Sequence, residues 1–287
     1  MKNIIKWIAS RKYMNLVKCI SKELDLTEKE ARQLNKKHKV EVNDVLAEEK
    51  MIIRKGMKIT ITFESEKCEH RAIESDLDVV YEDQNILVVN KKSGEAVYSN
   101  SSDRITLANK VSYYFKNIGL ESKIRFLNRL DYNTSGIVMI AKNSYAQAYL
   151  QKQIEARETK KVYIAFVEGE VKDENIYIDF PISKRCDENY RYKVDNDGQS
   201  ALTIIEKSEI KDDYTKLTIR IKTGRTHQIR VHMNEIGHKL LGDELYGGNQ
   251  SLISRQALHA HIYGIKVPFV GYKEFLAKLP SDLIKLC

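Results

Sequence analysis

Hydrophobic positions recur along this chain in two periods, and the alternation between them predicts its elements. Leu16, Ile20 and Leu24 fall at four-residue intervals and predict a first helix beginning at Asn15. Thr27 followed by Glu30 is a capping box that opens a second helix, with Ala31 and Leu34 inward and Arg32, Lys36, Lys37 and Lys39 toward solvent. V-E-V-N (40–43) then alternates as a strand, Gly56 turns the chain, and Met57 to Phe63 alternates again. Residues 1–14 are basic and mildly amphipathic, compatible with either a strand or a helical turn. Glu64 to Asp76 is polar and aperiodic, as a linker would be.

From Leu77 the pattern changes. Ile86 to Val89 is a continuous apolar run, as in a central strand. Leu107, Val111, Tyr114 and Ile118 share a helix face that stops at Gly119. The turn formers Asn133, Thr134, Ser135 and Gly136 feed a buried strand, Ile137 to Ala141. Asn143 caps a helix carrying Ala146, Leu150 and Ile154 inward. Next comes a strand with Val162, Ile164 and Phe166 on one side and Tyr163, Ala165 and Val167 on the other; further strands are expected at Ala201–Ile205 and Lys216–Lys222. T-G-R-T-H-Q-I-R-V-H (223–232) begins a helix ending at Gly237, with Ile229, Met233 and Ile236 buried and Arg230 at the flank. Such interleaving predicts an α+β fold: a mixed, mainly antiparallel central sheet flanked by helices over 77–287, a linker at 65–76 and a small N-terminal α/β domain over 1–64.

Composition narrows the setting. Hydrophobic content of 42% with 31% charged residues is ordinary for a globular protein, and a net charge of +8 suits a polyanionic partner without identifying one. Cys19, Cys68, Cys186 and Cys287 are widely separated, which argues for reduced thiols and against a zinc site or disulfide framework. Lys6 interrupts the apolar residues of the N-terminus, and no apolar run approaches the roughly 18 residues of a membrane span. The expectation is a cytoplasmic, monomeric protein that does not enter membranes.

Asp131 sits on the tight turn before a buried strand, where a carboxylate is held still; with Thr134 it also reads as a simple turn cap. The surrounding R-L-D-x-x-T-S-G (129–136) resembles the signature of the RluA-type pseudouridine synthases, in which the Asp is the sole catalytic carboxylate. Asn128 stands where that family usually has His, Lys92 where a Pro follows Lys91, and Tyr98 where a later His lies. K-x-Y-x-A-x-V-x-G around Tyr163 resembles the second family motif, whose Tyr lies against the target base. The segment around Arg230 resembles the third, whose second Arg pairs with the catalytic Asp; such a cation keeps a carboxylate ionised, and its fork orients it. R-Q-A-L-H-A (255–260) matches a further, structural family segment. The N-terminal pattern is similar to the small S4-like RNA-binding domain first described in a ribosomal small-subunit protein.

The resemblance implies isomerisation of a uridine in RNA: the glycosidic nitrogen–carbon bond breaks, the uracil rotates, and a carbon–carbon bond to the ribose forms. Asp131, Tyr163 and Arg230 would be the catalytic set. Arg129, Thr134, Arg225, His227 and Gln228 would contact RNA or shape the loop, and Arg32, Lys36 and Lys37 would hold RNA from the N-terminal domain. Whether Asp131 attacks the sugar, attacks the base or removes a ribose proton is open. No phosphate-cradling glycine loop occurs, and no cofactor is implied. His227, His232 and His238 are spaced five and six residues apart, unlike the i, i+4 of paired helical metal ligands. Large-subunit ribosomal RNA is the expected substrate and transfer RNA the alternative. Two rivals remain: a non-catalytic RNA-binding or ribosome-assembly protein, and a nucleoside hydrolase releasing free base.

Overall fold

The computed structural model describes residues 3–99, 104–185 and 191–287; Cys186 lies outside them. The N-terminal part is a four-stranded antiparallel sheet with two helices. The first fourteen residues, open in the sequence, contribute strand β1 (Ile4–Ile8), with Ile5 and Trp7 turned inward. Helix α1 (Leu16–Glu23) is capped by Asn15, whose side chain accepts from the Lys18 amide at 2.8 Å. Helix α2 (Glu28–Lys37) opens with the expected capping box, in which Thr27 and Glu30 satisfy each other's backbone amides. β2 (Lys39–Val42), the two-residue β3 (Val45–Leu46) and β4 (Lys58–Thr62) complete the sheet in the order β1-β4-β2-β3.

The larger part carries ten strands in one sheet among the described residues. Its first elements are β5 (Val79–Glu82), β6 (Ile86–Lys91), α3 (Leu107–Asn117), β7 (Arg125–Phe126), β8 (Ser135–Ala141) and α4 (Ser144–Glu155). There follow β9 (Lys160–Glu168), β10 (Ile176–Asp179), a separate small hairpin of β11 (Ile182–Lys184) and β12 (Tyr192–Val194), then β13 (Leu202–Ile210) and β14 (Tyr214–Ile221). Helix α5 (Gln228–Glu235), a single 3-10 turn (Glu244–Tyr246), β15 (Leu258–Val267), β16 (Gly271–Leu276) and α6 (Ser281–Ile284) end the chain. The sheet runs β10-β13-β14-β9-β15-β8-β6-β5, with β16 on β15 and β7 on β8. Among the described residues only β15 and β8 pair in parallel, so the expected mixed, mainly antiparallel sheet is borne out.

That parallel contact carries the centre of the fold. All seven positions of β8 are buried, and both its faces are apolar. Gly136 crosses Ala260 of β15 with φ +119°, and a Cβ there would lie 2.6 Å from the Ala260 nitrogen and closer still to its carbonyl oxygen. Only glycine allows this approach.

The polar stretch after Phe63 forms no helix or strand, yet it is not a free tether. Arg125 grips both oxygens of Glu66 at 2.6 Å, Ser112 donates to the His70 carbonyl, and Asn109 donates to the Arg71 carbonyl. The stretch is strapped along α3. The N-terminal sheet is itself docked: Tyr145 of α4 packs into its core and donates to the Leu24 carbonyl, while the Gln84 amide makes both hydrogen bonds to the Lys6 backbone. Burying Tyr145 there contributes roughly 2 kcal/mol of cohesion between the two sheets. No helix among the described residues is long and apolar enough to cross a membrane.

Gly136→Ala should lower unfolding free energy by roughly 3 kcal/mol, from steric overlap plus positive φ. Denaturant titration checks this, and wild-type stability would refute the close approach.

Candidate active site

The turn that carries Asp131 is closed by the Thr134 amide donating to the Asp131 carbonyl at 3.1 Å. Each of the next four residues is then held by a group from elsewhere. Lys91 donates to the Tyr132 carbonyl (3.1 Å), Arg255 to the Asn133 carbonyl (3.0 Å), Gln256 to the Thr134 hydroxyl (3.3 Å), and His259 pairs with the Ser135 hydroxyl (2.9 Å). R-Q-A-L-H-A thus acts as a cradle for the turn, with Arg255 braced by Asp282 at 2.7 Å. The Lys91 ammonium, 1% exposed, also binds the carbonyls of Lys92 and Glu95; burial pushes its pKa down to about 8 against the charges of Glu95 and Asp131. Asn128, the departure from His, serves strand β8 with both ends of its amide, donating to the Ile137 carbonyl and accepting from the Met139 amide.

Asp131 faces a cavity of about 970 Å³, lined among others by Tyr98, Arg129, Tyr163, Arg225, His227 and Arg230. Arg230 Nη1 donates to Asp131 Oδ2 at 3.2 Å, across 99 residues of sequence. Its fork, however, does not clasp Asp131. Nε and Nη2 reach the two oxygens of Asp243 at 2.7 and 2.8 Å, and Asp243 is 1% exposed. The expectation that the fork orients Asp131 is corrected: the bidentate partner is Asp243, and Asp131 receives the one remaining nitrogen. Arg230 is also 6% exposed rather than flanking, with its guanidinium 5.0 Å from the Tyr246 ring centre. Asp243 and Tyr246 were missed by the sequence reading; their signal was G-D-E-L-Y-G-G (242–248), a glycine-bounded acidic turn.

The expected helix from Thr223 begins only at Gln228, because His227 adopts a left-handed conformation (φ 56°). Gln228 organises that turn. Its oxygen accepts from the Thr223 hydroxyl and the Arg225 amide, and its nitrogen donates to the Leu202 carbonyl and the Thr203 hydroxyl. A primary amide has no capacity beyond these four bonds, so in this arrangement the whole Gln228 amide is spent on shaping the loop. Thr134, 2% exposed and engaged by Gln256, borders a smaller adjoining cavity of about 80 Å³. His227 Nε2 lies 3.8 Å from Asp131 Oδ2, and burial lowers its pKa despite that carboxylate, which favours the neutral ring. Burial raises the Tyr163 hydroxyl pKa, helped by the nearby Tyr263 and Asp131, and it stays protonated. Arg129 donates to the Tyr98 hydroxyl at 2.8 Å with its guanidinium over that ring, at the exposed mouth. Arg225 is turned to the Ser200 carbonyl.

Arg32, Lys36 and Lys37 lie on α2, outside the cavity lining; Arg32 is paired with Glu49 at 3.1 Å. His232 bonds Thr203 and the Phe180 carbonyl, and His238 bonds the Glu168 carbonyl, so the three histidines serve separate neighbours.

Residues 85–235 match the model of the RNA pseudouridylate synthase family, just over half the chain. The chain belongs to that family. Among curated relatives it is 34% identical over 255 residues to the uncharacterized RNA pseudouridine synthase YhcT of Bacillus subtilis (86% of this chain, 84% of the relative). It is 36% identical over 229 residues to ribosomal large subunit pseudouridine synthase D of Yersinia pestis (74% and 70%). The solved structure of human RNA pseudouridylate synthase domain containing 1 superposes with a TM-score of 0.60 at 26% identity, over 72% of this chain and 87% of that one. Synthases of this family are isomerases, and the R-L-D turn, the Tyr163 strand and all of α5 fall within the matched residues.

Two outcomes test this geometry. Arg230→Lys, which cannot bridge both carboxylates, should lower synthase turnover about 100-fold or more in a single-turnover assay while the chain stays folded. His259 is fully buried and pushed down to about 4 by burial, so its folded pKa lies below its unfolded one. Its stabilising contribution is therefore complete above about pH 6.5 and lost as pH falls toward 4, up to roughly 3 kcal/mol. Denaturation curves against pH should show that acid loss in the wild type and a shallower one in His259→Gln.

Proposed function

We propose that this chain converts specific uridines of large-subunit ribosomal RNA to pseudouridine, with Asp131 as the catalytic carboxylate. The observation that carries the reading is the Asp131–Arg230 contact at 3.2 Å on the wall of a cavity roomy enough for a nucleotide, with Tyr163 on the same wall. The ribosomal target rests on relatives named ribosomal large subunit pseudouridine synthase D in several bacteria; transfer RNA is the alternative.

A uridine inside a helix cannot reach this carboxylate, so the nucleotide flips into the cavity. Tyr163, neutral and bordered by Asp131, offers its ring to the uracil face. The base leaves the ribose by cleavage of its nitrogen–carbon bond, turns, and rejoins through carbon, with a proton lost from that carbon and one gained at nitrogen. Atoms and electrons balance without a redox partner. Arg230 stays charged throughout, since two carboxylates face it, and it steadies Asp131 whichever atom that group attacks. Retention of the detached base falls to the enclosing walls, which convert its return into an intramolecular step.

We further propose that the N-terminal sheet is an S4-like RNA-binding domain. Lys36 and Lys37 are exposed in the last turn of α2 and form no ion pair among the described residues, and the docked Tyr145 contact fixes that helix relative to the cavity. RNA affinity then falls steeply with salt.

Asp131→Asn should abolish pseudouridine formation on ribosomal RNA while leaving RNA affinity within about threefold of wild type. Chemical mapping of pseudouridines in cells with and without the variant reads the first, and filter binding the second. Unchanged modification would refute the assignment, and chromatographic release of free uracil would favour a hydrolase.

A further inference from the structure

One cation of the cavity wall has no part in the chemistry above. Lys161 precedes Tyr163 by two residues on β9, so both side chains leave the same face of the strand, about 7 Å apart at their origins. Both line the cavity. The Lys161 ammonium lies over the Tyr263 ring, 5.7 Å from its centre, and 3.9 Å from where a Cβ on Gly224 would sit. Its side chain makes no hydrogen bond or ion pair among the described residues.

This is unlike the other enclosed lysines. Lys91 is held by three carbonyls, and Lys142 by Glu82 and the Asp83 carbonyl. Lys161 is desolvated with only the face of the Tyr263 ring to offset it among the described residues, and burial lowers its pKa. Beside it, the Tyr263 hydroxyl is buried with no hydrogen bond of sound geometry, only Thr159 near it. An ammonium on the cavity wall without a hydrogen bond or counter-charge among the described residues calls for a ligand that supplies charge and acceptors together. A uracil edge offers neutral carbonyls, which leave the ammonium uncompensated. A phosphate supplies an anion with several oxygens, which suits the freely rotating donors of a lysine.

We propose that Lys161 binds a backbone phosphate adjoining the flipped nucleotide and so anchors the RNA strand inside the cavity. The inference rests on RNA being the substrate. It makes Lys161 a substrate-binding residue distinct from Arg230, which is saturated by carboxylates.

Binding of a ribosomal RNA fragment is measured against salt for Asp131→Asn protein, where turnover is blocked, with and without Lys161→Met. Loss of one phosphate contact should weaken binding about tenfold at low salt and reduce the slope of log affinity against log salt by roughly 0.7 to 1. Lys161→Arg should restore most of both, which a merely structural lysine would not do. An unchanged slope overturns the proposal, whether affinity is kept or lost, since a contact to the uracil edge would cost affinity without releasing a counterion. Pseudouridine formation by the wild-type protein on the same fragment is read in parallel: its absence would count against the functional reading, whereas its presence with an unchanged slope counts against Lys161 alone.

Discussion

One guanidinium between two carboxylates of unequal exposure organises this molecule. Asp243 is buried and takes the fork of Arg230; Asp131 faces the cavity and takes what is left. The inequality has a physical consequence. A bidentate pair fixes the plane of the guanidinium, and Tyr246 covers its face, so the third nitrogen points in a defined direction before any substrate arrives. Asp131 is thereby held by a rigid partner through one oxygen, while its other oxygen accepts no hydrogen bond among the described residues, as the proposed catalytic role requires. Preorganisation of this kind avoids reorientation during the reaction, the costly step for a carboxylate in water.

The same economy governs the backbone around Asp131. A five-residue turn at the mouth of a cavity would ordinarily be mobile. Here Tyr132, Asn133, Thr134 and Ser135 are each tied to a separate group, from β6 on one side and from the stretch entering β15 on the other. Both sources border β8 in the sheet, so the fit of the turn depends on the close crossing at Gly136 and Ala260. Fold and site are therefore one constraint: strands that could not approach would release the loop.

The N-terminal sheet extends this rigidity outward. Glu66, His70 and Arg71 strap the connecting segment to α3 and its surroundings, and Tyr145 shares its ring with the N-terminal core. A basic helix fixed relative to a cavity binds a structured polyanion with less loss of entropy than one on a loose tether.

Much was legible in local pattern. The Thr27–Glu30 capping box, the Asn143 cap, the buried run of β8 and the alternation of β9 depend on residues close in sequence, and their periods follow from helix and strand geometry. The three family-like motifs marked Asp131, Tyr163 and Arg230 for the same reason: each is a short run read by residue type. What the chain alone did not disclose was the partner of each polar group. Gln228 spends its whole amide on its own turn and on β13, the Arg230 fork belongs to Asp243, and Lys161 has no hydrogen bond or ion pair among the described residues. Hydrogen-bond capacity is shared out only when distant segments meet, so local sequence determined which groups were present, and tertiary packing alone decided which of them were used up and which were left facing the cavity.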